Sequence, residues 1–142
     1  MSSKRALLYA RMSDTNNKDV RLDDQIAFCR EHAEKHGWTV VYELQEEPGL
    51  SGAKTDRPQL LRARQLAREG VFDVLITLEP ARIWRDSDEM TDERRRFKIH
   101  GVTFEYVDKQ YVDGWQGELQ EKEDAISAER YRLEVREKTI RG

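Results

Sequence analysis

The chain has 142 residues, 37% of them charged and 37% apolar, and its 25 Lys and Arg against 28 Asp and Glu leave a net charge of −3. That length suits one domain around one core, and the charged share stands above the roughly 25% of an average globular domain. A net charge this close to zero excludes a global positive field as the means of meeting nucleic acid, so any contact with phosphates must come from local arginine clusters.

"RALLYA" (5–10) is an apolar run of strand length, followed by the polar, turn-forming "SDTNNKD" (13–19). From Leu22 to Lys35, Leu22, Ile26, Cys29 or Phe28, and Ala33 recur at helical spacing, and Gly37 stands where a helix stops. "WTVVYEL" (38–44) reads as a second strand, and "QEEPGLSGAKTDRP" (45–58), with two prolines and two glycines, as an irregular surface loop. Leu60, Leu61, Ala63 and Ala67 form the apolar side of a helix opened by Pro58 and closed by Gly70. "FDVLITL" (72–78) carries the strongest strand signal. The next segment, "RDSDEMTDERRRFKIHG" (85–101), runs from acidic to basic, the order a helix dipole favours. "VTFEYVD" (102–108) supplies a fourth strand, and from Gly117 onward one long polar helix is predicted. Strands alternating with helices imply an α/β fold: a mostly parallel sheet of four to five strands flanked by helices, with its ligand site beyond the carboxyl ends of the strands.

The lone Cys29 excludes an internal disulfide and reads as a core residue; His32, His36 and His100 read as scattered, so no metal ligand is assigned. No signal peptide and no apolar run near the ~18 residues of a membrane span is found, and a cytoplasmic location without membrane contact is expected.

Three arginine-bearing segments leave regular structure near the sheet. Arg11 lies two positions before Ser13 after the first strand, Arg57 is in the "SGAKTDRP" loop (51–58), and Arg82 with Arg85 follows the third strand. Helical geometry over 82–90 would turn Arg82 and Arg85 to one side. Guanidiniums gathered near one hydroxyl make a poor core and a good phosphate cradle, since each offers paired donors to two oxygens. The chemistry that fits is attack of a serine oxygen on a phosphodiester. Taken singly, each residue has a plainer reading: Ser13 as a turn residue, Arg82 and Arg85 or Arg94–Arg96 as a solvated helix face, Trp84 as core, Gln25 as an exposed helix position.

In order, these segments resemble the catalytic domain of the serine recombinases, the resolvase and invertase family with its large serine integrases. The resemblance rests on "YARMS" (9–13), Leu22 and Gln25, "GLSGAKTDRPQL" (49–60), "FDVLITLEPARIWR" (72–85), "GVTFEYVD" (101–108), and "DGWQG" (113–117) leading into "AERYRLEVREKTIRG" (128–142). It spans essentially the whole chain. Its specific part is the pairing of Y-A-R-x-S with S-G-x-x-x-D-R-P about forty residues later. The resemblance implies Ser13 as nucleophile forming a 5′-phosphoserine link to DNA, and Arg11, Arg57, Arg82 and Arg85 as holders of the scissile phosphate. It further implies supporting roles for Gln25, Asp56 and Lys138, no metal and no cofactor. Double-stranded DNA is the implied partner, with a dimer and a synaptic tetramer in the full-length protein.

Ala81 stands where many members carry aspartate, Lys138 where small members tend to have arginine, and "LQEKEDAIS" (119–127) is polar where small resolvases are apolar. Residues 1–116 are read as the catalytic core and 117–142 as the start of the long dimerisation and DNA-contacting helix. Leu119, Ile126, Leu133 and Ile140 recur at heptad intervals, with Ala128 and Val135 nearby. One apolar residue per heptad is narrower than a stable coiled-coil seam, so self-association of this segment alone is expected to be weak or absent. No sequence-reading module follows "TIRG", and the chain is expected to be the N-terminal part of a longer protein. Two other readings stay open: a non-cutting relative that binds DNA or a protein, and a flavodoxin-like module for a phosphate-bearing ligand, which would ordinarily carry a glycine-rich phosphate loop.

Overall fold

The computed structural model describes residues 3–12, 20–47, 57–84, 86–111 and 114–141. In chain order they form β1 (Arg5–Ala10), α1 (Leu22–Lys35), β2 (Thr39–Gln45), α2 (Pro58–Arg68), β3 (Val74–Thr77), a 3₁₀ turn (Pro80–Arg82), α3 (Ser87–Ile99), β4 (Thr103–Tyr106) and α4 (Trp115–Arg141). The four strands make one parallel sheet in the order β2-β1-β3-β4. Its strands and α4 start within a few residues of the positions the sequence predicts. Residues 82–90, in contrast, do not form one helix. Pro80 opens a short turn that ends at Arg82, and α3 begins only after Asp86, whose side chain accepts from Glu89 N at 2.8 Å.

The central strand explains the apolar run at 5–10. Leu7 and Tyr9 point into a core shared with Leu60, Ala63, Ala67, Phe97 and Trp84, on the face covered by α2 and α3. Ala6, Leu8 and Ala10 point the other way, into a core built with Ile26, Cys29 and Ala33 of α1. A strand buried on both faces loses the polar alternation of a half-exposed one. Burial raises the Cys29 thiol to about 12, helped by the charge of Asp108, so this cysteine is an inert core residue.

One stripe of α4 is fastened to the sheet domain. Glu121, buried, accepts from the Tyr106 hydroxyl at 2.9 Å and pairs with Arg94; Asp124 takes the Tyr111 hydroxyl at 2.8 Å and Lys109 at 2.6 Å; Glu129 accepts from Ser87 Oγ at 3.2 Å. Leu119, Ile126 and Leu133 of the predicted heptad row are turned outward and exposed, and the side chain of Ile140 lies outside the described residues. Among the described residues no helix is long and apolar enough to cross a membrane.

Candidate active site

In a sheet of this order the chain moves outward from β1 in opposite directions, to β2 on one side and to β3 on the other, so the crevice at the carboxyl ends of β1 and β3 is the topological switch point. Arg11 is the first residue past β1. Its Nε donates to Arg82 O at 2.9 Å and its Nη2 to Ala81 O at 2.8 Å; Arg82 Nη1 donates back to Arg11 O at 2.9 Å, and Arg82 Nη2 pairs with Glu79 at 2.9 Å. Arg57, the residue before α2, reaches the same turn through a hydrogen bond from Nη1 to Ile83 O and pairs with Glu89 through Nη2. Three guanidiniums from three distant stretches thus fasten on residues 79–83. Arg57 and Arg82 are only 7% and 6% exposed, a burial that costs several kcal/mol per cation unless acceptors surround it, as carbonyls and carboxylates do here. Among the described residues the buried Arg57 Nε has no hydrogen-bond partner.

Two buried polar side chains hold this corner in shape. Gln25, fully buried on the first turn of α1, accepts from Arg11 N at 3.3 Å and donates to Arg11 O at 3.2 Å and Val20 O at 2.9 Å. It therefore clips together the two ends of the stretch that contains Ser13. Glu46, just past β2, accepts from Gln59 N and Leu60 N, both at 3.0 Å, and from the Tyr9 hydroxyl at 2.8 Å. Its carboxylate satisfies the exposed N–H groups at the start of α2, where Arg57 in the capping position supplies no side-chain acceptor, and so fixes the helix end from which Arg57 projects. Burial, then the charge of Glu46, pushes the Tyr9 hydroxyl far above its ordinary value, and Tyr9 stays a neutral donor.

The chain matches the family described as Resolvase, N terminal domain, over residues 6–142. It belongs to the resolvase family. Solved structures agree. The N-terminal catalytic domain of TP901-1 integrase is 23% identical with a TM-score of 0.71, covering 94% of this chain and 99% of that one. A resolvase-family site-specific recombinase from Streptococcus pneumoniae is 20% identical with a TM-score of 0.70, covering 99% of this chain and 95% of that one. The C-terminal catalytic domain of ISC1926 TnpA, an IS607-like serine recombinase, is 29% identical with a TM-score of 0.61, covering 82% and 75%. No curated protein matches the chain in sequence at a significant level.

Within this resolvase-family domain the structure brings together Arg11, Arg57, Arg82 and Gln25, four of the residues singled out by sequence. Ser13, Asp56 and Arg85 lie outside the described residues, as do the loop 13–19 and most of the loop 45–58. Lys138 stands exposed on the distal part of α4. Gln25 is buried rather than at the solvent-facing helix position its residue type suggests, because its amide bonds three backbone groups, Arg11 N, Arg11 O and Val20 O. Trp84 packs in the core, edge-on to Phe104 at 4.8 Å between ring centres. Glu46 escaped the sequence reading, which assigned 45–58 to a loop. The signal was available in Pro58 opening a helix with Arg57, not Ser, Thr, Asp or Asn, directly before it, which leaves its first N–H groups in need of a distant acceptor.

Proposed function

We propose that this chain is the catalytic domain of a site-specific serine recombinase acting on double-stranded DNA. The observation that carries the reading is the convergence of Arg11, Arg57 and Arg82 at the switch point, next to the stretch that holds Ser13. Ser13 Oγ attacks a DNA phosphorus; the new P–Oγ bond replaces the P–O3′ bond, leaving a 5′-phosphoserine and a 3′ hydroxyl. The serine proton leaves as the bond forms, and the departing 3′ oxygen takes one up. The guanidiniums of Arg11, Arg57 and Arg82, joined by Arg85, neutralise the charge that builds on the phosphoryl oxygens. The energy of the broken phosphodiester stays in the serine ester, so religation after strand exchange needs neither metal nor nucleotide.

Self-association fits the outward row of α4. Leu119, Ile126 and Leu133 are 48%, 38% and 61% exposed, one per heptad, a seam suited to pairing on DNA more than to a stable free dimer. Asp56 would orient the loop carrying Arg57, and Lys138 would act where the long helix meets the DNA backbone.

Fused beyond α4 to a zinc-finger module of known site, and offered a nicked suicide substrate carrying that site, the domain forms a covalent protein–DNA adduct that Ser13→Ala abolishes. An equal yield of adduct with Ser13→Ala overturns the assignment. The second reading, a domain that binds DNA without cutting it, draws on Ala81 in place of the family's usual aspartate; it predicts retention of the DNA with no adduct from either protein.

A further inference from the structure

The face of the sheet covered by α1 carries a second cluster of chemistry-bearing side chains, away from the arginine corner. His32 and His36 lie one helical turn apart near the end of α1, and Glu105 is on β4 opposite Ile76, whose side chain packs in the α1-face core. One ring nitrogen of each histidine and one carboxylate oxygen of Glu105 all lie within 4.8 Å of one another. His32 Nε2 is 3.1 Å from Glu105 Oε1. Two ligands held about 2.0–2.1 Å from a tetrahedral metal stand roughly 3.3 Å apart, so this pair is already at coordination spacing.

The tautomer of His36 is set by its surroundings. Its Nδ1 is 2.9 Å from His32 O, and a carbonyl only accepts, so Nδ1 carries the proton and Nε2 presents a lone pair. A ring N–H bonded to a backbone carbonyl is the usual outer support of a metal-bound histidine. Trp38 stacks on the His36 ring at 4.4 Å between centres and limits its rotation. His32 is buried and His36 exposed, so an ion can enter from the His36 side and come to rest against His32 and Glu105.

We infer that His32, His36 and Glu105 form a binding site for a divalent transition cation of borderline softness, zinc above all, with water in the fourth position. Two imidazoles and one carboxylate are a donor set that suits zinc and its neighbours over magnesium or calcium, which prefer oxygen alone. Binding replaces the hydrogen bond between His32 Nε2 and Glu105 with bonds from both to the ion and ties the end of α1 to β4, an edge strand of the sheet. The role is structural: the site stands apart from the recombination chemistry and supplies no step to it.

The test uses the untagged chain, stripped with a chelator and titrated with Zn²⁺ and, separately, Co²⁺. One zinc per chain is taken up, the melting temperature rises by on the order of 5–10 °C near saturation, and cobalt gives the intense visible bands of a tetrahedral site. His36→Ala, at an exposed position, and Glu105→Gln, which keeps a hydrogen-bond acceptor for His32, each lose at least tenfold in affinity, while His100→Ala leaves it unchanged. Uptake that survives both variants, or no uptake by the wild-type chain at about 100 µM metal, where even a weak site would stabilise the fold, overturns the proposal.

Discussion

At the carboxyl ends of β1 and β3, buried charged and amide groups are tied to backbone or to one another, whereas beyond Glu129 the long helix α4 leaves Tyr131, Leu133 and Val135 exposed. The two regions answer to different demands. On the proposed function the first is a phosphate cradle, which must hold its cations in place before the ligand arrives, because ordering them afterwards would consume binding energy. On the same proposal the second is a surface for another macromolecule, which keeps its apolar groups outward until that macromolecule supplies the cover. Substitutions in the first region should therefore act on stability and chemistry together, and substitutions in the second on assembly alone.

The largest effect is expected from Gln25→Ala, which removes three buried hydrogen bonds at once, those to Arg11 N, Arg11 O and Val20 O. Their loss should cost about 2–4 kcal/mol, read as a lower urea midpoint and accompanied by a weaker adduct. Glu46→Ala removes the acceptor of Gln59 N–H and the Tyr9 hydroxyl and one of the two acceptors of Leu60 N–H, and should cost about 2 kcal/mol, with Glu46→Gln recovering part of it. A Glu46→Ala chain as stable as the wild type would remove the carboxylate from the account of how Arg57 is placed.

The fastened root of α4 offers a finer contrast through pH. Burial raises the pKa of Glu121 in spite of Arg94 and Tyr106, so its contribution is full below its unfolded value and is lost as pH rises through the raised one. At Asp124 burial also pushes upward, but the hydrogen bonds of Lys109, Tyr111 and Gln120 prevail and lower the pKa; its contribution is present above the unfolded value of about 3.9 and is lost as pH falls through the folded one. Melting curves across pH should show Glu121→Gln gaining on the wild type as pH rises. Asp124→Asn should trail the wild type at neutral pH and close the gap in acid. Smallest of all, Leu133→Ala should shift the melting temperature of the free chain by under about 0.5 kcal/mol equivalent while reducing pairing on DNA; a large loss in the free chain would mean that the outward row is already covered.

Much of this architecture was legible in the residues. The two-sided burial of β1 is written in "RALLYA", and the sequence puts Arg11, Arg57 and Arg82 in three segments that leave regular structure near the sheet, while the turn on which they meet is visible only in the fold. What resisted reading was what depends on long-range pairing. Gln25 looks like a surface residue until the backbone groups it serves are in view, and Glu46 looks like part of a loop until α2 is seen to start against it. The spacing of His32 and His36 fits one helix face, yet Glu105 is more than sixty residues away along the chain and joins them only through the sheet register.

The fastened positions of α4 repay a last look. Glu118, Glu121 and Ala125, with Asp124 beside them, follow one another at steps of three and four along a single ridge. Seated on one ridge, a rod of 27 residues, about 40 Å long, extends well past the contacts that hold its root. A load on its far end therefore bears first on the pairs that Glu121 and Asp124 make with Arg94 and Lys109 at its root.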